Sequence, residues 1–371
     1  MMTPIRVLQI VTHMERGGLE STLMNYYRHI DRERVQFDFL VHRQERAAFD
    51  DEIESLGGKL YRLPRLVPWS EGYLAALNHF FDEHPEYKIV HVHQDCLSSV
   101  ILRAAAQHNI PVRIAHSHSA NQDKNLKYPI KLWYKRSIPK YTTNLFACGK
   151  DAGDWMFGGA PYQVINNAID VTAYAYNLAK RQEVRRQLSL ENKLTIGHVG
   201  RFNQPKNHPF LLDIFAALLK KEPNAVLLLV GGGEDMPKIQ AKAHALGIAE
   251  HVRFLGVRSD VADLMQAMDV FVFPSLYEGL PVTMVEAQAA GLPCLISDKV
   301  PSECILTDGM VDILSLSANP ETWADNILEK RNFPRTDRRA EIAAHGFDIT
   351  TEAVKLQEFY IKSIEKHMLC R

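Results

Sequence analysis

Short apolar segments rich in β-branched residues alternate with helical segments along most of the 371 residues, and this alternation is the strongest constraint on the fold. Strands that alternate with helices are joined by crossover connections, which produce parallel sheets covered by helices on both faces. The predicted strands of the first half are Ile5 to Val11, Val35 to Val41, Lys59 to Leu63, Lys88 to His93, Val112 to Ser117 and Asn144 to Cys148. Those of the second half are Leu194 to Val199, Ala225 to Val230, His251 to Leu255, Val270 to Phe273 and Pro293 to Ser297.

A polar passage from Val164 to Asp170, with two adjacent asparagines, separates the two series of strands. The chain is also longer than the roughly 250 to 300 residues at which one hydrophobic core stops growing. We therefore predict an α/β protein with two doubly wound, Rossmann-like domains, 1–168 and 169–345, that face a central cleft. The remaining segment, 346–371, contains a helix of roughly Thr350 to Met368 that we expect to pack back on the first domain.

Composition excludes several classes of protein. The 43 Lys and Arg residues nearly balance the 44 Asp and Glu residues, whereas generic nucleic-acid binders carry a basic excess. The five cysteines are widely spaced without a Cys-x-x-Cys, so neither a disulfide framework nor a zinc knuckle is indicated. The sequence shows neither a signal-peptide core nor an apolar run of about 18 residues. These features favour a cytoplasmic protein.

The segment Phe273 to Ala287 carries the strongest functional motif, Phe-Pro-Ser-Leu-Tyr-Glu-Gly-Leu-Pro-Val-Thr-Met-Val-Glu-Ala. A buried strand ends at Phe273, and Pro281 stands where the first turn of a helix tolerates proline. The N-terminus of that helix would direct backbone N–H groups towards an anion such as a diphosphate. Two carboxylates flank this turn, Glu278 in the loop and Glu286 in the second turn of the helix.

The spacing of Glu278 and Glu286, within Ser-x-x-Glu-Gly-Leu-Pro, resembles the signature of retaining GT-B glycosyltransferases. The resemblance covers nearly the whole chain and is strongest to group 1, family 4-like enzymes of capsular and exopolysaccharide synthesis. It implies transfer of a hexose or N-acetylhexosamine from a nucleoside diphosphate sugar, with UDP favoured, to a hydroxyl of a glycan or lipid-linked oligosaccharide. Such a hexosyltransferase would work in the cytoplasm or at the inner face of the plasma membrane.

The resemblance assigns a role to each part of this motif. Glu278 would position the donor sugar, and Glu286 would hold the ribose of the nucleotide. The diphosphate would be bound by the helix N-terminus, formed by Gly279, Leu280, Pro281 and Val282.

Two cations, Arg201 and Lys206, lie five residues apart in the loop after the strand Leu194 to Val199. Fixed cations stabilise the negative charge that develops on a departing diphosphate, without having to reorganise. The resemblance implies this role for both residues. Taken alone, the pair would be an ordinary basic loop.

Three further segments are predicted to line the donor site. Gly231 begins a glycine turn after the strand Ala225 to Val230, and such turns let a backbone approach a ligand closely. Phe254 lies in a segment that is similar to the one beside the nucleotide base in the family, although a buried strand end is the alternative interpretation. Gly17 and Gly18 follow the first strand, where the family has Gly-Gly-x-Glu; a simple tight turn is the alternative there.

Histidines close two strands of the first half. His116 and His118 end the strand Val112 to Ser117, and the family places a histidine there, near the donor sugar and the acceptor. Counting from the strand start, we choose His118 over His116 for this role. His91 and His93 form a second His-x-His pair. Such pairs share a strand face and can bind a metal, but no carboxylate or cysteine cluster accompanies them, so we favour hydrogen-bonding roles.

We predict that the enzyme needs neither a metal ion nor another cofactor. The sequence contains no Asp-x-Asp triplet, which carries Mg²⁺ or Mn²⁺ in the other large glycosyltransferase fold. Arg201 and Lys206 would supply the positive charge instead.

The stretch Lys124 to Lys140 carries six basic residues and no acidic residue. A helix between its two prolines would gather apolar and aromatic side chains on one side with lysines beside them, as helices that dock on anionic lipid do. A solvated basic face that packs its aromatic residues on the domain is the alternative. We favour peripheral membrane contact, because similar enzymes often glycosylate lipid-linked acceptors. The apolar side would contain Ile130, Trp133, Tyr134 and Ile138, flanked by Lys131 and Lys135.

Two other functions remain open. A GT-B nucleotide-sugar epimerase would convert the sugar while it stays on the nucleotide and would need no acceptor. A catalytically silent glycosyltransferase-like subunit would only bind a partner, although the presence of Arg201, Lys206, Glu278 and Glu286 argues against it.

Overall fold

A computed structural model of the chain describes residues 3–119 and 128–369. The chain divides into two compact units. The first comprises Met1–Ala168 and Ile349–Arg371, and the second comprises Ile169–Asp348. The second unit therefore ends at Asp348, whereas the second domain was predicted to end at residue 345.

The first unit is built on a parallel sheet. Its strands are β1 (Ile5–Val11), β2 (Val35–Val41), β3 (Leu60–Arg62), β4 (Ile89–Val92), β5 (Val112–Ser117), β6 (Asn144–Ala147) and β7 (Gln163–Val164). They lie in the order β3-β2-β1-β4-β5-β6-β7. The helices between them are α1 (Gly18–His29), α2 (Asp50–Ser55), α3 (Glu71–Glu83), α4 (Ser98–Gln107), α5 (Tyr128–Lys135), α6 (Ile138–Tyr141) and α7 (Lys150–Phe157).

The second unit is built on another parallel sheet. Its strands are β8 (Thr195–Val199), β9 (Val226–Val230), β10 (Val252–Gly256), β11 (Val270–Phe273), β12 (Cys294–Ser297) and β13 (Val311–Leu314), in the order β10-β9-β8-β11-β12-β13. Its helices are α8 (Val171–Tyr174), α9 (Leu178–Gln187), α10 (His208–Leu219), α11 (Met236–Ala245), α12 (Val261–Ala267), α13 (Val282–Ala289), α14 (Pro320–Lys330) and α15 (Arg339–Ala344).

Strand β9 shows how the second sheet is covered. Leu227 and Leu229 belong to one buried apolar cluster, whereas Leu228 and Val230 belong to another. Because successive side chains of a strand point to opposite faces, the two clusters lie on opposite faces of the sheet. A strand that is buried on both faces needs a continuous apolar run, and this run is what the sequence shows.

The last helix, α16 (Ile349–Leu369), belongs to the first unit. It begins and ends one residue beyond the predicted Thr350 to Met368. The backbone N–H of Asp31 donates to Oε1 of Gln357 over 2.6 Å, which ties the helix to the end of α1. The side chains that α16 buries in the core of this unit recur every three or four residues and include Ala353, Leu356 and Tyr360.

Two strands, β7 and β13, were missed by the sequence analysis. Each is the last strand at one edge of its sheet. Both residues of β7 are exposed, and Ile313 of β13 is half exposed. An edge strand is covered less completely than a central one, so β7 and β13 lack the continuous apolar run that marks the central strands.

The apolar side predicted for Lys124 to Lys140 is divided in the structure. Lys124 itself and the residues up to 127 lie outside the described residues. Helix α5 exposes Trp133, whereas Ile138 is fully buried in the separate helix α6. Nζ of Lys135 turns inward and donates to the backbone carbonyl of Trp155. The prediction that Ile138 and Lys135 belong to one lipid-facing surface is therefore wrong. The predicted single helix is two helices, with Ile138 buried in the second and Lys135 bonded to the protein.

We predict that Leu356→Ala destabilises the first unit by about 2–5 kcal/mol, because its removal leaves a cavity in a packed core. Leu356 is 5% exposed, whereas Val354 of the same helix is 53% exposed and provides the matched control. Val354→Ala should change the free energy of unfolding by less than about 0.5 kcal/mol. Urea unfolding followed by circular dichroism measures both variants. Equal effects would contradict the packing of α16 on this unit.

Candidate active site

In each sheet the strand that comes first in the sequence lies between two later strands, so the strand order reverses beside it. In the second unit β8 pairs with β9 on one side and with β11 on the other. The connections that leave two such neighbouring strands run in opposite directions, which leaves room for a ligand at their carboxyl ends. The loops after β8 and β11 carry Arg201, Lys206 and Glu278.

The loop after β8 is held by backbone hydrogen bonds to the end of β9. The N–H of Gly200 donates to the carbonyl of Val230 over 3.0 Å, and the N–H of Phe202 donates to that of Gly232 over 2.9 Å. Between these anchors the side chain of Arg201 is exposed and has no ion-pair partner among the described residues. The backbone is therefore fixed, while the guanidinium is available to a ligand.

Lys206 and Glu278 join the two loops. Nζ of Lys206 lies 2.7 Å from Oε1 of Glu278, and the two side chains are only 17% and 11% exposed. The same ammonium lies 4.7 Å from the centre of the Phe273 ring. A backbone hydrogen bond of 2.7 Å from Leu276 to Pro205 also links the loops. Because the ion pair cancels its own charge, Arg201 carries the uncompensated positive charge here.

Gly231 serves the packing of this site. A Cβ at Gly231 would lie 2.0 Å from the carbonyl oxygen of Gly200, and its φ of +138° is one that other residues rarely adopt. Its N–H donates to the carbonyl of Gly256 over 2.8 Å. The loop of Gly200 therefore fills the space beside this glycine, and its predicted contact with a ligand stays a prediction.

Helix α13 begins in the second loop. Pro281 precedes its first turn in extended conformation. Leu280 and Val282 are 7% and 8% exposed, so a ligand at this helix end would meet backbone rather than their side chains. The first N–H groups of a helix have no acceptor within it. The hydroxyl of Thr283, in the same turn, is buried and has no hydrogen-bond partner in the described part of the chain.

Glu286 lies one turn further along α13 and is partly buried. The hydroxyl of Tyr174, at the end of α8, donates to its Oε1 over 2.7 Å. Burial raises the pKa of Glu286 to about 7, and the hydrogen bond from Tyr174 lowers it in part. The carboxyl group therefore changes its charge near neutral pH.

Phe254 lies in β10, at the edge of the second sheet and separated from β8 by β9. Its ring is half buried and packs against the apolar cluster that contains Phe202, with 6.1 Å between the two ring centres. The side chain of Phe254 therefore contributes to the core, and the predicted place of this segment beside the nucleotide base stays a prediction.

Two family models match the chain, "Glycosyltransferase Family 4" over residues 16–173 and "Glycosyl transferases group 1" over residues 193–330. The putative glycosyltransferase EpsF of Bacillus subtilis (strain 168) is 36% identical over 375 residues, covering 97% of each chain. The chain belongs to the family 4 glycosyltransferases.

Two more proteins are similar to this glycosyltransferase. The UDP-Gal:alpha-D-GlcNAc-diphosphoundecaprenol alpha-1,3-galactosyltransferase of Escherichia coli is 26% identical over 299 residues, or 75% of this chain and 76% of that one. The crystal structure of Anabaena Alr3699/HepE in complex with UDP and glucose has a TM-score of 0.80 at 18% identity. The match covers 96% of this chain and 100% of that chain. This likeness confirms the predicted GT-B fold class with two parallel-sheet α/β domains.

In the first unit of the glycosyltransferase, Gly17 and Gly18 follow β1 at the reversal between β1 and β4. Gly17 precedes α1 with a φ of −139°, which any residue can adopt. A Cβ at Gly18 would meet no other atom within 4 Å. The turn therefore leaves open space at Gly18, and backbone strain is not what requires a glycine there.

Four histidines of the glycosyltransferase's first unit, His91, His93, His116 and His118, form one cluster. Nε2 of His118 lies 2.8 Å from Nδ1 of His93, and Nε2 of His91 lies 3.1 Å from Nδ1 of His116. His116 is inside β5 and 5% exposed, whereas His118 follows the strand and is half buried. The position of His118 is therefore the more accessible of the two.

Burial keeps these imidazoles neutral. It lowers the pKa of His118 to about 3 and the pKa values of His91, His93 and His116 well below the ordinary value. One nitrogen from each of the last three lies within 4.8 Å of the others. His91 and His93 were not predicted as metal ligands because the sequence shows no acidic neighbours. The pairing of β4 with β5 adds His116 to them, which makes a group of three imidazoles that could hold an ion.

Tyr174 and Thr283 were missed by the sequence analysis of this glycosyltransferase. Tyr174 is 112 residues from Glu286, and nothing in the local sequence indicates the contact. Thr283 stands within the recognised motif, where its hydroxyl could have been proposed as a ligand of the diphosphate.

We predict that wild-type protein loses stability relative to Glu286→Gln as the pH rises from about 4.5 to about 7. A raised carboxyl pKa means that the folded protein holds the proton more tightly than the unfolded chain, so ionisation favours unfolding. The difference should reach at most about 3 kcal/mol above the folded-state pKa. Melting temperatures at pH 5 and pH 8 measure it. Glu329→Gln, at an exposed position of α14, should behave as wild type. If Glu286→Gln also follows wild type, the buried carboxyl is not destabilising.

Proposed function

We propose that this enzyme transfers a hexose or N-acetylhexosamine, with retention of configuration, from a UDP-sugar to a hydroxyl of a lipid-linked glycan in surface polysaccharide synthesis. One observation carries the proposal. Arg201, the pair of Lys206 and Glu278, and the start of α13 meet at the carboxyl ends of β8 and β11. Together these groups offer positive charge to a diphosphate and a carboxylate to a sugar.

The diphosphate binds to Arg201, Lys206 and the backbone from Gly279 to Val282 in this proposal. The guanidinium of Arg201 is the strongest candidate, because no carboxylate within residues 3–119 and 128–369 offsets its charge. The N-terminus of α13 adds N–H groups and a favourable dipole.

Glu278 positions the donor sugar rather than attacking it. Its carboxylate is held 2.7 Å from Nζ of Lys206, and a carboxylate whose charge is shared with an ammonium is a weak nucleophile. The second oxygen can accept a hydrogen bond from a sugar hydroxyl. The ion pair therefore connects the group that holds the sugar to a group that holds the phosphate.

Retention is proposed to arise by attack on the face that the diphosphate leaves. The bond between the anomeric carbon and the diphosphate oxygen breaks, and the acceptor oxygen bonds to that carbon from the same side. The proton of the acceptor hydroxyl passes to the departing phosphate oxygen. Arg201 and Lys206 stabilise the charge that this oxygen gains.

UDP is favoured as the nucleotide, with Glu286 accepting hydrogen bonds from the ribose hydroxyls. Two observations support this preference. The Escherichia coli relative is named for UDP-Gal, and the Anabaena protein was crystallised with UDP and glucose. The name of the first also specifies a lipid-linked sugar as its acceptor.

The first unit is proposed to contribute His118 to the donor sugar and Gly17 and Gly18 to donor binding. The half-buried ring at the end of β5 and the open space at Gly18 support these assignments. The protein is further proposed to act without a metal ion, with the two cations of the β8 loop in its place.

We predict that Arg201→Ala lowers kcat about 100-fold or more, while the Kd for UDP changes less than about tenfold. The guanidinium interacts most strongly with charge that exists only as the bond breaks. Kinetics with a UDP-sugar and a lipid-linked acceptor, run in EDTA, give kcat, and calorimetry gives Kd.

Arg331→Ala is the matched control for this experiment, because Arg331 lies in the same unit at the end of α14 and pairs with Glu222. It should leave both constants unchanged. An unchanged kcat in Arg201→Ala would refute the assigned role. Conversion of the donor sugar without any acceptor would instead indicate an epimerase.

Peripheral contact with anionic membrane is proposed for α5. No helix within residues 3–119 and 128–369 is long and apolar enough to cross a membrane. Helix α5 nevertheless exposes Ile130 and Trp133, at 41% and 66%. Exposed apolar side chains beside basic residues are typical of helices that lie in the lipid interface.

We predict that Trp133→Ala weakens binding to vesicles of phosphatidylglycerol and phosphatidylcholine about tenfold, because burying a large apolar side chain contributes about 1.5–3 kcal/mol. Trp69, 62% exposed and outside the basic stretch, is the control. Co-sedimentation of Trp133→Ala and Trp69→Ala with vesicles compares the two. Equal binding by both variants would argue against a membrane role for α5.

A further inference from the structure

Gln9, His93 and His118 form a continuous hydrogen-bonded chain that ends where β5 ends. Nε2 of His93 lies 2.9 Å from Oε1 of Gln9, and Nδ1 of His93 lies 2.8 Å from Nε2 of His118. Gln9 and His93 are 0% and 5% exposed, so the bond between them is shielded from solvent, and the bond to His118 is partly buried.

The amide of Gln9 sets the direction of the chain. Its Nε2 donates to the hydroxyl of Tyr360 over 3.4 Å, which leaves Oε1 facing His93. A carbonyl oxygen can only accept, so Nε2 of His93 carries the proton. In a neutral imidazole the other nitrogen is then an acceptor. Nε2 of His118 must therefore donate to it.

The other two histidines of the cluster, His91 and His116, form hydrogen bonds separate from those of this chain. Nδ1 of His91 lies 2.8 Å from the hydroxyl of Tyr360, and its Nε2 lies 3.1 Å from Nδ1 of His116. All four ring nitrogens of His91 and His93 thus have hydrogen-bond partners. A metal ion would have to break these bonds, so the contacts favour a hydrogen-bonded network over a metal site.

We propose that Gln9 and His93 are positioning residues that hold His118 as the tautomer protonated at Nε2, so that Nδ1 presents a lone pair to a sugar hydroxyl. The inference rests on the proposed function in placing His118 at the donor sugar. Nδ1 of His118 has no partner among the described residues, and the ring is half buried. His118 then accepts a hydrogen bond and does not act as an acid.

Burial supports a single protonation state. It lowers the pKa of His118 to about 3, so the ring is neutral near pH 7. The groups that face it from the neighbouring elements are His93 and His116, whose pKa values burial also lowers well below the ordinary value. Because Nε2 of the neutral ring already donates to His93, Nδ1 is the nitrogen left to accept a hydrogen bond from a ligand.

Histidine ¹⁵N NMR of the full chain tests the tautomer directly, because protonated and unprotonated ring nitrogens have different shifts. The signals of His118 are assigned by their loss in His118→Gln. We expect Nε2 protonated and Nδ1 unprotonated in wild type. Protonation at Nδ1, or an imidazolium at pH 7, would overturn the proposal even if no variant of His93 can be purified.

Two substitutions at His93 separate positioning from packing. Asn places an amide oxygen near the position of Nδ1, so His93→Asn should keep the tautomer and keep kcat/KM within about threefold. His93→Leu removes the acceptor and should produce mixed tautomers with kcat/KM lowered about tenfold or more. Equal kcat/KM in both variants would overturn the proposal.

His42→Asn is the matched control, since His42 is 3% exposed in the same unit and bonds to the carbonyl of Val11 instead. It should leave the signals of His118 unchanged. Stoichiometric zinc or copper in metal analysis of purified wild type, lost in His93→Leu, would overturn the hydrogen-bonded network. If no donor sugar is transferred by wild type, the proposed function fails, whereas the NMR result still decides the tautomer.

Discussion

Burial of both faces of each parallel sheet is the constraint on which the rest of this structure depends. In β2 all seven residues are buried, and in β9 all five are. Strands of this kind have no room for exposed polar side chains, so polar groups concentrate in the loops that leave their ends. The reversal of strand order beside β8 then brings the loops with Arg201, Lys206 and Glu278 together.

The ion pair between Lys206 and Glu278 turns two separate loops into one preorganised surface. It is shielded from water by Phe273 and backed by the backbone contact of Leu276 with Pro205. Groups that are fixed before a ligand arrives need not reorganise when charge develops. The close packing at Gly231 has the same effect on the backbone that carries Arg201.

The first sheet also buries polar side chains, and hydrogen bonds within the protein satisfy most of their polar atoms. Gln9, His91 and His116 are buried inside strands, where a polar group without a partner would be costly. His91 bonds to His116 and to Tyr360, and Gln9 bonds to His93 and to Tyr360, which α16 contributes. Of the side-chain polar atoms of these three residues, only Nε2 of His116 has no partner in the described part of the chain. The C-terminal helix therefore completes the polar network behind His118 as well as the apolar core.

The sequence by itself determined the parallel α/β class, the bounds of β1, β2, β5 and β11, and the motif that contains Glu278 and Glu286. A local sequence pattern predicts each of these features, because burial of a central strand and the start of a helix both depend on adjacent residues. Only the tertiary structure decided that Lys206 meets Glu278, that Tyr174 meets Glu286 and that His93 meets His118. Such contacts depend on strand order and on the register between strands, and a one-residue shift in register would turn every side chain to the other face.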